Sequence, residues 1–122
     1  HFKRINDNFG HLIGDDLLRK FASTFKESVK GKDCVARYGG EEFAIIMPTT
    51  KLDAACSVVE QIRQKLEVMK WKTGENGEMI GAVTASFGVA QLQPGETAES
   101  LIRRADAKLY DSKRGGRNRV SF

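Results

Sequence analysis

Apolar residues recur at helical spacing in four stretches of the chain, and each stretch predicts a helix. The first would end at Gly10, and the loop that follows would lead to Asp15, which would cap a second helix running to about Val29. A third helix is predicted over residues 52–69, and a fourth would begin after Thr97 and end at Gly115-Gly116. The predicted buried faces are, in chain order, Phe2, Ile5, Phe9, Leu12 and Ile13; Leu18, Phe21, Ala22, Phe25 and Val29; Ala55, Val58, Val59, Ile62, Leu66 and Met69; and Leu101, Ile102, Ala105, Leu109 and Tyr110.

The remaining apolar residues have the pattern of strands. Two short runs flank Gly39-Gly40, which predicts a hairpin with the glycine pair as its turn and Pro48 closing the second strand. After a tight turn predicted at Asn76-Gly77, residues 82–92 alternate with period two, which predicts a longer strand, and residues 119–122 could form a last short one. The order α-α-β-β-α-β-α-β predicts an α/β (α+β) sandwich whose central, mainly antiparallel sheet is flanked by helices.

Composition narrows the class of protein. The 122 residues suit one domain, and 40% hydrophobic with 30% charged residues is ordinary for a globular chain. A net charge of +4 suits a polyanionic ligand, but no basic run predicts a nucleic-acid arm, and no apolar run predicts a membrane contact. Cys34 and Cys56 are too few for a disulfide framework, and we expect buried, reduced thiols in a cytoplasmic chain.

The chemically unusual feature is Gly39-Gly40-Glu41-Glu42. An ordinary hairpin turn needs only the glycines, because glycine adopts positive φ at no steric cost. A phosphate or metal site also uses residues of these types, because a backbone without Cβ lets a ligand approach and carboxylates are hard-oxygen ligands for Mg²⁺. Taken alone, the four residues are compatible with either interpretation.

The sequence resembles the GGDEF domain of diguanylate cyclases, in its GGEEF form. The resemblance covers essentially the whole chain and rests on motifs that occur in the same order. These are Phe2-Lys3-Arg4-Ile5-Asn6-Asp7, Gly10-His11-Leu12-Ile13-Gly14-Asp15, Arg37-Tyr38-Gly39-Gly40-Glu41-Glu42-Phe43, Ser86-Phe87-Gly88-Val89-Ala90, and Ala105-Asp106-Ala107-Lys108-Leu109-Tyr110 followed by Lys113 and Gly116-Arg117-Asn118.

The resemblance implies a palm-like nucleotidyl cyclase fold and a reaction. Two GTP molecules would condense to cyclic di-GMP with release of two pyrophosphates, in a homodimer whose two GGDEF domains each hold one GTP. Two Mg²⁺ ions are expected at each GTP site. Such in-line phosphoryl transfer depends mainly on positioning and on charge neutralisation.

The resemblance also implies roles for individual residues. Glu41 matches the metal ligand and proposed proton acceptor, and Glu42 is the second signature carboxylate. Gly39 and Gly40 would leave room for GTP. Asn6 and Asp15 match the guanine-reading pair, with His11 near the nucleotide, and the residues that match triphosphate contacts are Lys3, Lys113 and Arg117.

Simpler interpretations remain open for several of these residues. Asp15 could be only a helix cap, and His11 only a loop histidine. Lys113 and Arg117 lie near a predicted helix C-terminus, where cations are favourable in any protein.

Two departures from the family pattern matter. The family carries an Asp-x-Asp strand before the position of His1, so we expect an N-terminally truncated domain of a longer signalling protein, which an unseen upstream region could anchor to a membrane. In that case this fragment would have weak or no cyclase activity. The family's product-inhibitory Arg-x-x-Asp is replaced by Lys30-Gly31-Lys32-Asp33, and lysine lacks the planar fork that binds guanine bidentately.

Two other functions compete with the cyclase. A non-catalytic receptor could bind cyclic di-GMP or GTP and signal by dimerisation. An RNA-binding module is disfavoured because such modules stack bases on aromatics of the sheet face, where the alternating strand offers only Phe87.

Overall fold

The computed structural model describes residues 11–29, 31–69, 71–72, 79–81 and 83–122. The chain forms two compact units, one of His1–Pro48 with Lys70–Ala82 and one of Thr49–Met69 with Val83–Phe122. The predicted first helix and the Asn76-Gly77 turn lie outside the described residues.

The first unit contains helix α1 (His11–Ser28), strands β1 (Cys34–Gly39) and β2 (Glu42–Ile46), and the short strands β3 (Trp71–Lys72) and β4 (Met79–Gly81). β1 pairs antiparallel with β2, and β3 pairs antiparallel with β4. The predicted hairpin is therefore confirmed. Gly31, with φ of +67°, lies between α1 and β1, as expected for a glycine that stops a helix.

α1 supplies the apolar face that supports the hairpin. Leu17, Leu18 and Phe25 are buried, and the Phe25 ring meets the edge of Phe43 of β2 with 5.3 Å between ring centroids. Edge-to-face aromatic pairs add about 0.5–1.5 kcal/mol to the free energy of burial. The periodicity predicted Leu18 and Phe25 correctly but omitted Leu17 and Thr24, which are also buried.

The predicted start of α1 is wrong. Residues 10–14 were expected to form a loop and Asp15 a cap, but helix already covers residues 11–15. Gly14 is buried on the same face as Leu17 and Leu18, at helical spacing. Glycine in a helix costs about 1 kcal/mol relative to alanine, whereas each buried leucine contributes about 1.5–3 kcal/mol. The free energy gained by burying this face of the helix therefore outweighs the cost of a glycine within it.

The second unit contains α2 (Leu52–Val68), β5 (Phe87–Gly88), α3 (Ala98–Arg114) and β6 (Val120–Ser121). β5 and β6 are parallel, and α3 lies against both of them. Ala55, Val59, Ile62 and Leu66 of α2 are buried, which confirms the predicted spacing of that helix. The predicted ends of α3 are also correct. Ser100 donates its backbone N–H to the Thr97 hydroxyl over 3.1 Å, and Gly115 is the C-cap.

The long strand predicted over residues 82–92 is wrong, since within the described residues 83–92 only Phe87–Gly88 is strand. Val83 is buried and residues 84–90 are all half-buried, so the two faces do not differ as an alternating strand requires. A strand needs a partner of matching length, and the β6 partner has two residues. Phe87 and Val89 donate their backbone N–H groups to Arg119 and Ser121, and the ladder ends there.

The cysteines differ from expectation in burial but not in bonding. Both thiols are free, as predicted. Cys34 is exposed because it pairs with Ile46 at the open end of the hairpin, and Cys56 is only partly buried. Burial raises the pKa of the Cys56 thiol, and the nearby Asp53 carboxylate adds to this effect.

No helix within the described part of the chain has the length and apolarity that a membrane crossing would require.

Candidate functional site

The hairpin turn lies one residue later than predicted. Gly39 is the last residue of β1 and pairs with Glu42, so Gly40 and Glu41 form the two-residue turn. Gly40 has φ of +51°, a left-handed conformation that favours glycine. The register shifts between Arg37 and Gly39, and the extra residue in β1 is Tyr38, which is 60% exposed.

Arg37 fixes the conformation of this turn. Its Nε and Nη2 atoms both donate to the Gly40 carbonyl oxygen, over 2.9 and 2.6 Å. A charged donor strengthens a hydrogen bond, and two bonds to one oxygen restrict its direction. Arg37 is therefore not simply a solvated strand residue, since its side chain forms part of the turn.

Among the described residues, no side chain or backbone covers the two hairpin glycines. A Cβ built on Gly39 or Gly40 would have no heavy atom of the described chain within 4 Å. Packing against the described residues therefore does not explain why both positions lack side chains. The φ of Gly40 explains one glycine, but Gly39 has no positive φ, and no described residue lies close to its Cβ position.

The two signature carboxylates occupy different environments. Glu41 is exposed at the tip of the turn, whereas Glu42 is half-buried at the start of β2 and interacts with the surrounding chain. Because Glu41 belongs to the turn and Glu42 to strand β2, the two carboxylates are not interchangeable as ligands. Within the described ranges, no group of three or more His, Cys, Asp or Glu side chains could by itself hold a metal ion.

The remaining predicted residues of the first unit are only partly described. Asp15 is exposed on α1, and Asp33 is half-buried just before β1. Lys3, Asn6 and Lys30 lie outside the described residues, and for His11 only the helical backbone is described.

Lys113 and Arg117 belong to the second unit, around the C-terminal end of α3. Lys113 lies in the last turn of the helix, half-buried and in contact with other groups. Arg117 lies in the following loop, with an exposed side chain and φ of +63°.

The family model "Diguanylate cyclase, GGDEF domain" matches residues 1–119. The chain belongs to the GGDEF family.

Relatives of this GGDEF domain include well-matched sequences and structures. It is 44% identical to the diguanylate cyclase VdcA of Vibrio cholerae over 120 residues, which is 98% of this chain and 35% of VdcA. The GGDEF domain of DgcB from Caulobacter crescentus, in complex with c-di-GMP, matches with a TM-score of 0.95 and 44% identity over 99% of this chain and 71% of that one. The active GGEEF domain of a Vibrio cholerae diguanylate cyclase matches with a TM-score of 0.87 and 36% identity, over 99% of this chain and 75% of that one.

These similarities confirm the predicted family and the mixed helix-and-strand fold. This chain spans about a third of VdcA.

The GGDEF domain also contains an anchoring cluster that its sequence does not predict, formed by Arg63, Glu67 and Asn118. Arg63 and Glu67 of α2 hydrogen-bond the side chain of Asn118, which follows Arg117. Asn118 was recognised as part of a motif, but no local pattern links it to a helix more than fifty residues earlier. Ser112 was missed as well. It is fully buried and donates to the Phe87 carbonyl oxygen over 2.7 Å, joining α3 to β5.

Proposed function

We propose that this GGDEF domain is the catalytic domain of a diguanylate cyclase, which condenses two GTP to cyclic di-GMP and two pyrophosphates. The observation that carries the proposal is the hairpin, where Arg37 holds a turn with open space over Gly39 and Gly40 and an exposed carboxylate, Glu41. The relatives whose names state this activity match nearly the whole chain.

The chemistry of the hairpin suits a nucleoside triphosphate. An open glycine backbone lets phosphate oxygens approach N–H groups, which a Cβ would hinder. Lys113 and Arg117 bring two cations to the end of one helix, where they can contact phosphates. Asn6, Asp15, His11 and Lys3 complete the proposed substrate site through the motifs they match.

Mg²⁺ is the proposed metal, with two ions at each GTP site. Glu41 is the proposed ligand and Glu42 the second signature carboxylate, and both carry the hard oxygens that Mg²⁺ prefers. Because the described residues offer no complete cluster of ligands, the phosphates and further chain atoms would supply the rest of the shell. When bound, Mg²⁺ would neutralise phosphate charge and acidify the attacking hydroxyl.

Catalysis also requires a partner. The proposed reaction joins two GTP molecules, and one domain is proposed to hold one, so two GGDEF domains must face each other in a homodimer. The proposed location is the cytoplasm, where GTP is available. No nucleic-acid partner is proposed.

The decisive variant is Glu41→Gln in the full-length polypeptide that carries this chain. With GTP and Mg²⁺, we expect the wild type to form cyclic di-GMP, measured by chromatography. The variant should be slower by a factor of about 10² or more, because removing a group that stabilises transition-state charge costs on the order of 10²–10³ in rate. Glutamine keeps the shape of the side chain but loses its charge.

Glu99→Gln is the matched control for that experiment. Glu99 lies on the surface of α3 in an ion pair with Arg103 in which both side chains are largely exposed. Its replacement should leave the rate unchanged. Equal rates for Glu41→Gln and wild type would contradict the metal-binding role, and absence of product from the wild type would contradict the cyclase function.

A second candidate function is a receptor for cyclic di-GMP that signals by dimerisation without catalysis. It is favoured by the DgcB domain, whose structure is a complex with c-di-GMP. The proposed product site uses Lys30 and Asp33, and the half-buried Asp33 can accept hydrogen bonds from guanine.

Calorimetry with cyclic di-GMP distinguishes this site from the GTP site. We expect Asp33→Ala to weaken binding at least about tenfold, since hydrogen bonds to charged groups contribute roughly 1.5–3 kcal/mol. Asp106→Ala, which changes an exposed carboxylate on α3, is the control. An unchanged affinity in Asp33→Ala would place the bound ligand elsewhere.

A further inference from the structure

The loop that follows α3 has an unusual backbone. Arg117 and Asn118 are consecutive non-glycine residues with positive φ, +63° and +46°. Asparagine tolerates this left-handed region, but arginine rarely adopts it. Such a conformation persists only where the surrounding contacts hold it, and it is common at functional sites.

Backbone contacts hold Arg117 on both sides. Its N–H donates to the Ser112 carbonyl oxygen over 2.9 Å, which ties the loop to the end of α3. Its own carbonyl oxygen accepts from Arg119 Nε over 3.1 Å. These bonds satisfy the backbone of Arg117 and leave its side chain exposed.

Asn118 supplies the third restraint, a side-chain anchor to α2. Its Oδ1 accepts from Arg63 Nη1 over 3.1 Å, and its Nδ2 donates to Glu67 Oε2. Arg63 Nη1 also donates to Glu67 Oε2 over 3.3 Å, so the three side chains form a closed ring. Arg63 Nη2 also donates to Glu60 Oε1 over 2.6 Å, and the Arg63 side chain is only 16% exposed.

The ring requires an amide at position 118. One end of the side chain faces a cation and must accept, while the other faces a carboxylate and must donate. Aspartate could not donate to Glu67, and an apolar residue could do neither. Asparagine also suits the left-handed backbone, so a single residue type meets both requirements.

We infer that Asn118, anchored by Arg63 and Glu67, is a positioning residue that holds the Arg117 guanidinium where it contacts the triphosphate of GTP. The inference rests on the proposed function, from which the phosphate contact of Arg117 comes. An anchored loop keeps this long side chain from searching many positions, so less conformational entropy is lost on binding. Asn118 acts through Arg117 and does not touch the nucleotide.

Asn118→Gly is the variant that isolates the anchor. Glycine adopts φ of +46° freely, so the loop conformation stays accessible while the amide is lost. Calorimetry on the full-length polypeptide with Mg²⁺ would compare a non-hydrolysable GTP analogue with GMP. We expect the dissociation constant of the GTP analogue to rise about tenfold, the effect of losing one charge-assisted contact, while that of GMP changes less than about twofold.

A double-mutant cycle tests whether the effect passes through Arg117. In an Arg117→Ala background, Asn118→Gly should have no further effect on the GTP analogue, because the side chain that it positions is gone. Glu67→Ala removes the acceptor of the Asn118 amide from the exposed face of α2 and leaves the loop sequence intact. Glu67→Ala should also weaken binding of the GTP analogue. It replaces Asn118→Gly as the test of the anchor if that variant does not fold. Arg103→Ala, which breaks an exposed ion pair on α3, should leave the affinity for both nucleotides unchanged.

Four results would overturn the inference. Equal weakening of the GTP analogue and GMP by Asn118→Gly would indicate a purely structural role. An effect that persists in the Arg117→Ala background would mean that the anchor acts on another group, and unchanged binding in both anchor variants would exclude any role. A wild type that binds the GTP analogue no more tightly than GMP would overturn the proposed triphosphate contacts, and the positioning role with them. If that wild type also made no cyclic di-GMP, the proposed function itself would fail.

Discussion

At the scale of single residues, arginine side chains fix the conformation of loops in this protein. Arg37 holds the Gly40 carbonyl of the hairpin turn, and Arg104 holds the segment before α3 by donating to the Gln91 carbonyl oxygen over 2.6 Å. In both cases a planar, permanently charged group makes more than one directed bond, which lysine could not reproduce. In the composition, these residues contribute only to the net charge of +4.

The pair of Arg104 and Glu96 predicts acid sensitivity. The side chain of Glu96 is only 8% exposed and accepts from Arg104 Nη2 over 2.5 Å. Hydrogen bonds from Arg104 hold the pKa of Glu96 at about 2, below its usual 4.5, although burial acts in the opposite direction. The pair therefore stabilises the fold fully above pH 4.5, and that contribution is lost as the pH falls from 4.5 towards 2.

Urea unfolding at pH 7 and pH 3 measures this contribution. Glu96→Gln should be less stable than wild type at pH 7, and the difference should shrink at pH 3. Glu99→Gln, in a largely exposed pair, should show almost no difference at either pH. A Glu96→Gln penalty that stayed constant with pH would show that packing, and not charge, explains the destabilisation.

At the scale of elements, close approach of backbones determines how β5 meets α3. A Cβ on Gly88 would lie 2.2 Å from Leu109 N and 2.3 Å from Ala105 O, both of which are backbone atoms of the helix. Backbone cannot move aside as a flexible side chain can. Gly88 is therefore required by packing, unlike Gly39, whose Cβ position is open.

Gly88→Ala should destabilise the protein by about 3 kcal/mol, at the upper end of the usual cost of overpacking. The free energy of unfolding in urea is the measurement. Gly39→Ala is the matched control and should change that free energy by less than about 0.5 kcal/mol, as is usual at the surface. A well-tolerated alanine at position 88 would mean that β5 and α3 can separate at little cost.

The elements also mark where local patterns succeed and where they fail. α2 and α3 follow their predicted bounds closely because their spacing, caps and terminating residues all agree. α1 extends through Gly14 because that glycine lies on its packed face. Period two over residues 82–92 does not become a long strand because the short β6 pairs only with Phe87–Gly88.

At the scale of the whole molecule, the order of the motifs identified the family, and the hairpin in the first unit was predicted to within one residue. The sequence could name Lys113, Arg117 and the signature carboxylates as candidate site residues. The sequence could not identify the side chains that hold the site residues in place. The hydrogen bonds of Arg63 and Glu67 to Asn118 join residues that are distant in sequence, and a local sequence pattern does not predict such pairs.

The sequence by itself determined the family, the types of most elements and the chemistry available to the site, because these depend on residue type and on spacing over a few positions. Only the tertiary structure decided which glycine forms the hairpin turn and why Gly88 has no side chain. It alone also revealed the side chains that secure the loops around Arg37 and Arg117. The physical reason is that packing and hydrogen bonding act between residues that folding brings together, so their strength is set by distance in space and not by distance along the chain.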